Sequence, residues 1–484
     1  MHSSRALVWA QERRFDQVIE ELLISATPFG VRTASLSKSQ VIAFNGESHS
    51  RPGLLGNVYL AAPGRQGGAA RFVTIGEDQS AFLSGAGDAG AANQVVQVVR
   101  DALDGKAPRV SSAPALAGRY LVYLPHGEGI SVARRIGDEA ERQRLLALGQ
   151  QLLPAGGDGG MTLRSAAAGA PDALIAAETK RLATRWSDIA AKCGNIAAPA
   201  LLLAGPSLAE RLLRNAAPNT LKRILTDDKE THRKLCGHIE ETAPELLACL
   251  EYANDALFER HDAAGALAAA LAPEVALPGG GRLTIEPTQA LTAIDVDSGA
   301  RSGGREIALS AACLEAAAAA AAEIRRRNLA GLIVIDFPRL ASAGTRNDLL
   351  REMRNHMRAD PTPHKVVDIS ASGLMEITRR RAETPLLEAL TETVPGDSYG
   401  GYGGRRARLD ALAFDIADQA RQQQRPGTHT TTLHMAPELA EYLAHFDSQA
   451  GRNATPTLSE WLGSKVTLRQ EPSYRRDNWS IEAA

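Results

Sequence analysis

Three aspartates at the ends of two apolar segments offer chemistry: Asp295 and Asp297 in Leu291-Thr-Ala-Ile-Asp-Val-Asp-Ser-Gly299, and Asp336 in Gly331-Leu-Ile-Val-Ile-Asp-Phe337. On an extended chain, residues two apart point to the same side, so Asp295 and Asp297 share a face. Gly331 to Ile335 is the short aliphatic run expected of a strand buried on both faces, with Asp336 at its end. Between the two lies an Ala-rich helical stretch ending in Arg325-Arg326-Arg327. Carboxylates converging from neighbouring strands suit Mg2+ or Mn2+, hard cations that take a few carboxylates and several waters. A metal held that way commonly serves phosphoryl chemistry. Strand-end aspartates also cap helices and start turns, so the acids alone leave a structural role open.

The elements that position these acids belong to a long chain. Its 484 residues predict three to five subdomains. Lys and Arg number 54 against 56 Asp and Glu, so any contact with a polyanion must be a local groove of cations on a balanced surface. Four scattered cysteines, Cys193, Cys236, Cys249 and Cys313, form no CxxC pair, which points to a reducing compartment. The charged segment from Met1 to Glu21 lacks the apolar core of a signal peptide, and the alanine run Ala316 to Ala322 is too short to span a bilayer. A soluble, cytoplasmic protein without a transmembrane segment is expected.

Short β-like runs with Gly and Pro punctuation begin at Leu22–Ser25 and Val41–Phe44. From about Leu55 to Ala117 come Gly56–Leu60, Arg71–Ile75 and Val95–Arg100, a pattern that predicts a small barrel, commonly an OB fold. Pro199 to Leu271 reads as mostly helical, and Val275–Glu286 around Pro278-Gly-Gly-Gly281 as a hairpin leading to the first acids. His232, Cys236 and His238 have a spacing that could ligate zinc on a helix, although the adjacent Arg233-Lys234 reads as a solvated face.

Gln289 through Phe337, followed by Asp368-Ile-Ser-Ala-Ser-Gly-Leu-Met-Glu-Ile-Thr-Arg-Arg-Arg381, resembles the catalytic region of the RNase E/G family of bacterial endoribonucleases. Three motifs agree in order and separation: "AID-x-[ND]-[ST]-G", "GGLIVIDF" and "GL-x-E-[MI]-[ST]-R-x-R". The resemblance implies an α/β multidomain protein: an RNase H-like domain with an inserted OB-fold RNA-binding barrel and a 5′-sensor, a DNase I-like catalytic subdomain and a small α/β C-terminal domain. The expected boundaries are an N-terminal extension at 1–19, a first RNase H-like segment at 20–54, the OB-fold domain at 55–117 and the 5′-sensor at 118–198. A second RNase H-like segment at 199–271, the catalytic subdomain at 272–382, a linker at 383–408 and a small oligomerisation domain at 409–484 complete it.

The same resemblance assigns roles. Asp295 and Asp336 would hold one Mg2+ or Mn2+, with Asp297 placing the attacking water, so that single-stranded RNA is hydrolysed to 5′-phosphate and 3′-hydroxyl ends in RNA processing and decay. Phe72 and Phe82 align with aromatics that stack on a base, and Lys106 and Arg109 with their flanking cations. Faces with cations beside them suit single strands, although barrel core is the other reading of the phenylalanines. In Gly160-Met-Thr-Leu-Arg-Ser-Ala-Ala-Ala-Gly169, Arg164 and Ser165 take the places of a pocket for a 5′-monophosphate. Arg379 and Arg381 are expected near the RNA backbone.

Departures from the family are informative. Pro395 to Gly404 carries no cysteine where relatives have a CPxC pair sharing zinc between subunits, so no structural zinc is expected and a homo-oligomer, dimer or tetramer, must rest on other surfaces. No scaffold tail for degradosome assembly is expected after the small domain. Thr74, Asp297 and Cys313 stand where relatives usually have Asp, Asn and Asn. Two other functions stay open: a catalytically weakened RNA-binding protein with the same fold, and a Mg-dependent phosphodiesterase of small nucleotides, which would not need the phenylalanines.

Overall fold

The computed structural model describes residues 18–67, 70–76, 79–84, 93–102, 106–153, 159–216, 220–299, 305–394, 404–425, 427–446 and 454–484. The expected extension at 1–19 lies almost wholly outside them. The chain forms two compact units, one of residues 53–219 and 233–248, the other of 1–52, 220–232 and 249–484.

The first unit opens with β1 (Val58–Gly67), β2 (Ala70–Thr74), β3 (Ser80–Ser84), β4 (Gln94–Arg100) and β5 (Arg109–Ser111). They pair in the order β1-β2-β3-β5-β4, and β4 returns to β1, closing a five-stranded, OB-like barrel. Closure leaves no free edge among these strands. Tyr59, Ala61, Val73, Ile75, Ala81, Leu83, Val96, Val98 and Val110 fill the interior. The same unit continues with β6 (Leu116–Ala117), β7 (Leu121–Leu124), β8 (Glu128–Val132), α1 (Glu139–Leu152), β9 (Gly159–Leu163), α2 (Asp172–Cys193), β10 (Ala200–Leu203) and α3 (Leu208–Asn215). Here β8-β9-β7-β6 form a sheet whose core, with Leu121, Leu145, Met161, Leu163 and Ile175, is shared with α1 and α2.

In the second unit, Glu21–Thr27, Gly30–Ser37 and Gln40–Ser48 make an antiparallel meander. Arg223–Thr226 and Leu250–Tyr252 extend it in parallel beyond Glu21–Thr27. A second, six-stranded sheet carries the three aspartates. Its strands are β11 (Glu274–Ala276), β12 (Arg282–Pro287), β13 (Thr292–Asp297), β14 (Gly331–Asp336), β15 (His364–Ile369) and β16 (Leu374–Arg379), in the order β11-β12-β13-β14-β16-β15. The expected hairpin around Pro278 is the β11–β12 pair.

Helices α4 (Arg305–Arg326) and α5 (Ala343–Met357) cover one face of this sheet, while residues on the other face remain exposed. Alternation therefore sorts each strand: Leu283, Ile285, Ile294, Val296, Ile333, Ile335, Met375 and Ile377 point inward. The alanines of α4 favour the helix and let it approach closely, with Ala312, Ala316, Ala317 and Ala320 fully buried. By length and composition α4 could cross a membrane, but it is mostly buried here as the core helix of this layer. Cys313, at the family's usual asparagine, is buried in the same core and behaves as a small apolar residue there. The basic end of α4 is not a surface patch either: Arg327 is buried, its Nε donating to Glu323 at 2.8 Å and its Nη1 to the carbonyl of Ala272 at 2.6 Å.

The segment expected as a linker is structured at both flanks. It contains α6 (Leu386–Leu390) and the pair β17 (Thr391–Thr393) and β18 (Arg405–Ala407), while 395–403, the place of the missing cysteine pair, lies outside the described residues. Glu392 accepts from Arg406 at 3.0 Å and from Arg476 at 2.7 Å, tying this hairpin to the C-terminal residues. Helix α7 (Leu409–Gln423), β19 (Thr430–Met435), α8 (Pro437–His445), α9 (Ala454–Leu462), β20 (Lys465–Gln470) and β21 (Trp479–Ala483) complete the fold, with β19 central in a three-stranded sheet.

Candidate functional site

Asp295 on β13 and Asp336 on β14 are register partners across two parallel strands. Both are exposed while Ile294, Val296, Ile335 and Phe337 beside them are buried, so both carboxylates stand on the open face of the sheet. Adjacent strands are about 4.8 Å apart, which places like charges side by side. Neither carboxylate has a hydrogen-bond or ion-pair partner among the described residues. Asp297 is on the same face; its Oδ1 accepts from the amide of Gly299 at 3.0 Å and its Oδ2 lies 3.6 Å from Arg282 of β12.

The backbone behind the acids is set by two glycines. Gly299 has φ +64 and Gly373 has φ +109, and a Cβ on Gly373 would lie 2.2 Å from the carbonyl oxygen of Phe337. Only glycine lets the 370–373 turn close against the residue following Asp336, where the Phe337 amide donates to the Gly373 carbonyl at 3.2 Å.

Two unpartnered carboxylates offer oxygen donors to a hard divalent cation. Among the described residues no group of three His, Cys, Asp or Glu side chains converges on such a site, so the remaining positions would fall to waters and substrate oxygens. This applies equally to the candidate zinc residues. His232 packs edge-on against Tyr252, and His238 lies 3.4 Å from Glu210 with burial drawing its pKa down.

Arg379 requires a correction. It is 5% exposed, and its guanidinium donates to both oxygens of Asp360 (2.6 and 3.1 Å), to Asn328 Oδ1 (2.8 Å), to the carbonyl of Leu329 (2.9 Å) and to Thr362 Oγ1 (3.1 Å). No donor is left for RNA. The cause is parity: Arg379 follows Met375 and Ile377 at intervals of two and shares their buried face. Register also puts it at the wrong end of the sheet, since Arg379 pairs with Gly331 whereas Asp336 pairs with Leu374. Five residues of strand separate the two ends, about 17 Å. Arg381 lies at that same far end, its Nη2 close to Gly331 and its Nη1 unpartnered.

In the other unit, Phe72 of β2 and Phe82 of β3 are register partners with ring centroids 5.8 Å apart at 77°. Both are partly exposed and neither belongs to the barrel core, because Val73, Ile75, Ala81 and Leu83 take the inward positions. Phe82 pairs with Arg109 of β5, whose guanidinium is 5.9 Å from the Phe82 ring centroid, and Arg109 pairs with Arg100 of β4. The barrel thus presents a row, Phe72-Phe82-Arg109-Arg100, ending in two exposed cations. Sequence reasoning missed Arg100, at the polar end of an apolar strand; only the barrel's register brings it beside Arg109. Lys106 is exposed.

Arg164 follows β9 and precedes a 3₁₀ turn, Ser165–Ala167. Its Nη1 donates to the carbonyls of Gly118 (2.6 Å), Arg119 (3.3 Å) and Arg214 (3.4 Å), and its Nη2 to Asn215 Oδ1 (2.7 Å). Burial lowers its pKa from the ordinary arginine value. Ser165 is exposed next to it.

Residues 115–382 match the Ribonuclease E/G family. The chain is similar to Ribonuclease G of Escherichia coli (strain K12), 28% identical over 95% of this chain and 99% of that protein. It is also similar to Ribonuclease E of Nostoc sp. (strain PCC 7120 / SAG 25.82 / UTEX 2576), 34% identical over 64% of this chain and 45% of that protein. Ribonuclease E of Synechocystis sp. (strain ATCC 27184 / PCC 6803 / Kazusa) is 31% identical over 64% of this chain and 46% of its own length. With more than half of its length matched, the chain belongs to the Ribonuclease E/G family.

Proposed function

We propose that this protein is an endoribonuclease of RNA processing and decay that hydrolyses single-stranded RNA with one Mg2+, leaving 5′-phosphate and 3′-hydroxyl ends and preferring 5′-monophosphorylated substrates. The observation that carries the reading is the pairing of Asp295 with Asp336 on an open sheet face with no protein partner for either carboxylate among the described residues. Such a pair presents two carboxylate oxygens side by side to a hard cation, with no protein cation competing for them among the described residues. A bound divalent cation supplies Lewis acidity toward a phosphoryl oxygen and lowers the pKa of water. Asp295 and Asp336 are the residues that would hold it. Asp297, oriented by Gly299 and Arg282, would fix the position and proton of the attacking water.

The barrel row supports single-stranded RNA as substrate, since stacking on Phe72 and Phe82 tolerates any base while Arg109 and Lys106 hold phosphates. For the 5′ end the support is the free edge of Arg164. Among the described residues its acceptors are on Nη1 and Nη2 and none is on Nε, and the Nε/Nη2 edge of a guanidinium is of the kind that takes an oxyanion bidentately. Assembly as a homo-oligomer without zinc, in a reducing cytoplasm, belongs to the same reading.

The test is incubation with a 5′-monophosphorylated, A/U-rich single-stranded oligonucleotide, with and without Mg2+. Metal-dependent cleavage leaving 3′-hydroxyl ends is expected. Tight RNA binding with no cleavage under any divalent cation would overturn the enzymatic reading in favour of a binding protein.

A further inference from the structure

The charge of Arg164 is carried in a socket of neutral acceptors. Three are backbone carbonyls and the fourth is the amide oxygen of Asn215, while the Glu178 carboxylate attracts Arg164 only through space, with the Arg119 guanidinium opposing it and Arg181 ion-paired to it. A guanidinium held by a carboxylate would be fixed but largely neutralised. One held by carbonyls is fixed and keeps its charge for an incoming anion.

The carbonyls need fixing in turn, and two buried side chains do so. Glu178 of α2, 3% exposed, accepts from the three consecutive amides of Arg119 (2.7 Å), Tyr120 (2.7 Å) and Leu121 (3.0 Å). That turns the carbonyls of Gly118 and Arg119 toward Arg164. The approach is so close that a Cβ on Gly118 would lie 2.3 Å from the Glu178 carboxyl, so a side chain there would have to displace that carboxylate. On the other wall, Arg119, 2% exposed, donates to the carbonyls of Leu213 (2.9 Å) and Ala216 (3.3 Å) at the end of α3, from which Arg214 and Asn215 reach Arg164.

We infer that Glu178 and Asn215 are positioning residues of the 5′-phosphate site: Glu178 sets the loop carbonyls that aim Arg164, and Asn215 holds Nη2 without cancelling its charge. The inference rests on the reading that Arg164 receives the 5′-monophosphate. Replacing the amide of Asn215 by a carboxylate would place an anion 2.7 Å from Nη2, where it competes directly with a phosphate.

The experiment measures kcat and KM of the full chain on one oligonucleotide carrying either a 5′-monophosphate or a 5′-hydroxyl, for wild type, Arg164→Ala, Asn215→Asp and Glu178→Gln. The wild type is expected to favour the monophosphate by about ten- to hundredfold in kcat/KM, the range one charge-assisted contact supplies. Asn215→Asp and Glu178→Gln should each remove most of that ratio through a raised KM for the monophosphorylated substrate. Because the ratio is taken within one protein sample, partial unfolding lowers both rates and leaves it unmoved. A wild-type ratio near one overturns the reading of Arg164 and the inference with it. A large wild-type ratio that is lost in Arg164→Ala but kept in Asn215→Asp and Glu178→Gln overturns the positioning role alone. If Glu178→Gln does not fold, Asn215→Asp, at an exposed position, decides.

Discussion

Asp295 and Asp336 stand directly opposite one another on parallel strands, and the alternation that buries Ile294 and Ile335 beneath the sheet lifts both carboxylates onto its open face. Two anions so placed repel, and nothing in the described protein relieves them. On the function proposed above, a divalent cation would do so. Asp295→Asn and Asp336→Asn should each lower kcat by at least about a hundredfold, because each removes one of two charged ligands, while RNA affinity measured without metal stays near that of the wild type. Near-normal cleavage by either variant would remove these residues from the site.

Arg379 provides the contrasting case, a motif position whose five donors are consumed inside the fold. Truncating one member of a buried, hydrogen-bonded pair typically costs about 3–5 kcal/mol, since the other charge is left buried alone. Arg379→Ala should therefore show a large loss in urea or thermal unfolding and little change in RNA affinity of the protein that remains folded. A stable variant with weakened RNA binding would restore Arg379 to the substrate surface.

Much of this was legible in the residues, where the period of two is simple and local. Asp295 and Asp297 share a face as their spacing predicts, and the runs around Phe72 form a closed barrel. Phe72 could not be sorted from sequence because strand phase depends on which neighbour, Val73 or Phe72, meets the core. The parity linking Arg379 to Met375 and Ile377 is visible in the sequence, but a run of three arginines reads first as surface charge. What sequence cannot carry is long-range: Arg164 meets Gly118 and Asn215 across 46 and 51 residues, and Glu178 meets Tyr120 across 58. Such partners are brought together by packing of β7, β9, α2 and α3, and no local pattern announces them.

Glu141 supplies a pH test of the turn that follows Arg164. Its carboxylate receives two hydrogen bonds from Arg144, at 2.7 and 2.8 Å, and one from the amide of Gly169 at 2.8 Å. These hold its pKa at about 2, below the ordinary 4.5, with the Arg144 bonds the larger cause. A depressed carboxylate stabilises the fold fully above its unfolded value and loses that contribution as pH falls through the folded one. Glu141→Gln should thus be less stable than wild type above about pH 5, and the difference should close as pH approaches about 2. A difference in melting temperature that does not vary with pH would show that the charge of Glu141 contributes nothing.

The barrel row makes the last prediction, and it separates stacking from charge within one surface. Phe72 and Phe82 meet edge to face on the outside of the barrel, with Arg109 and Arg100 continuing the row across β5 and β4. A base laid on the phenylalanines would carry its flanking phosphates past the two guanidinium groups. Loss of one stacking ring costs about 1–3 kcal/mol, so Phe72→Ala and Phe82→Ala should weaken binding of single-stranded RNA by roughly five- to hundredfold at any salt concentration. Loss of one phosphate contact acts differently, because each contact on a single strand releases condensed counterions. Arg100→Ala should make the slope of log affinity against log salt shallower by about 0.7, with its largest effect at low salt. The phenylalanine variants should leave that slope unchanged. Titrations of a labelled single-stranded oligonucleotide at several salt concentrations measure both quantities. An unaltered slope for Arg100→Ala would end the row at Arg109, and unaltered affinity for both phenylalanine variants would mean that the RNA takes another path.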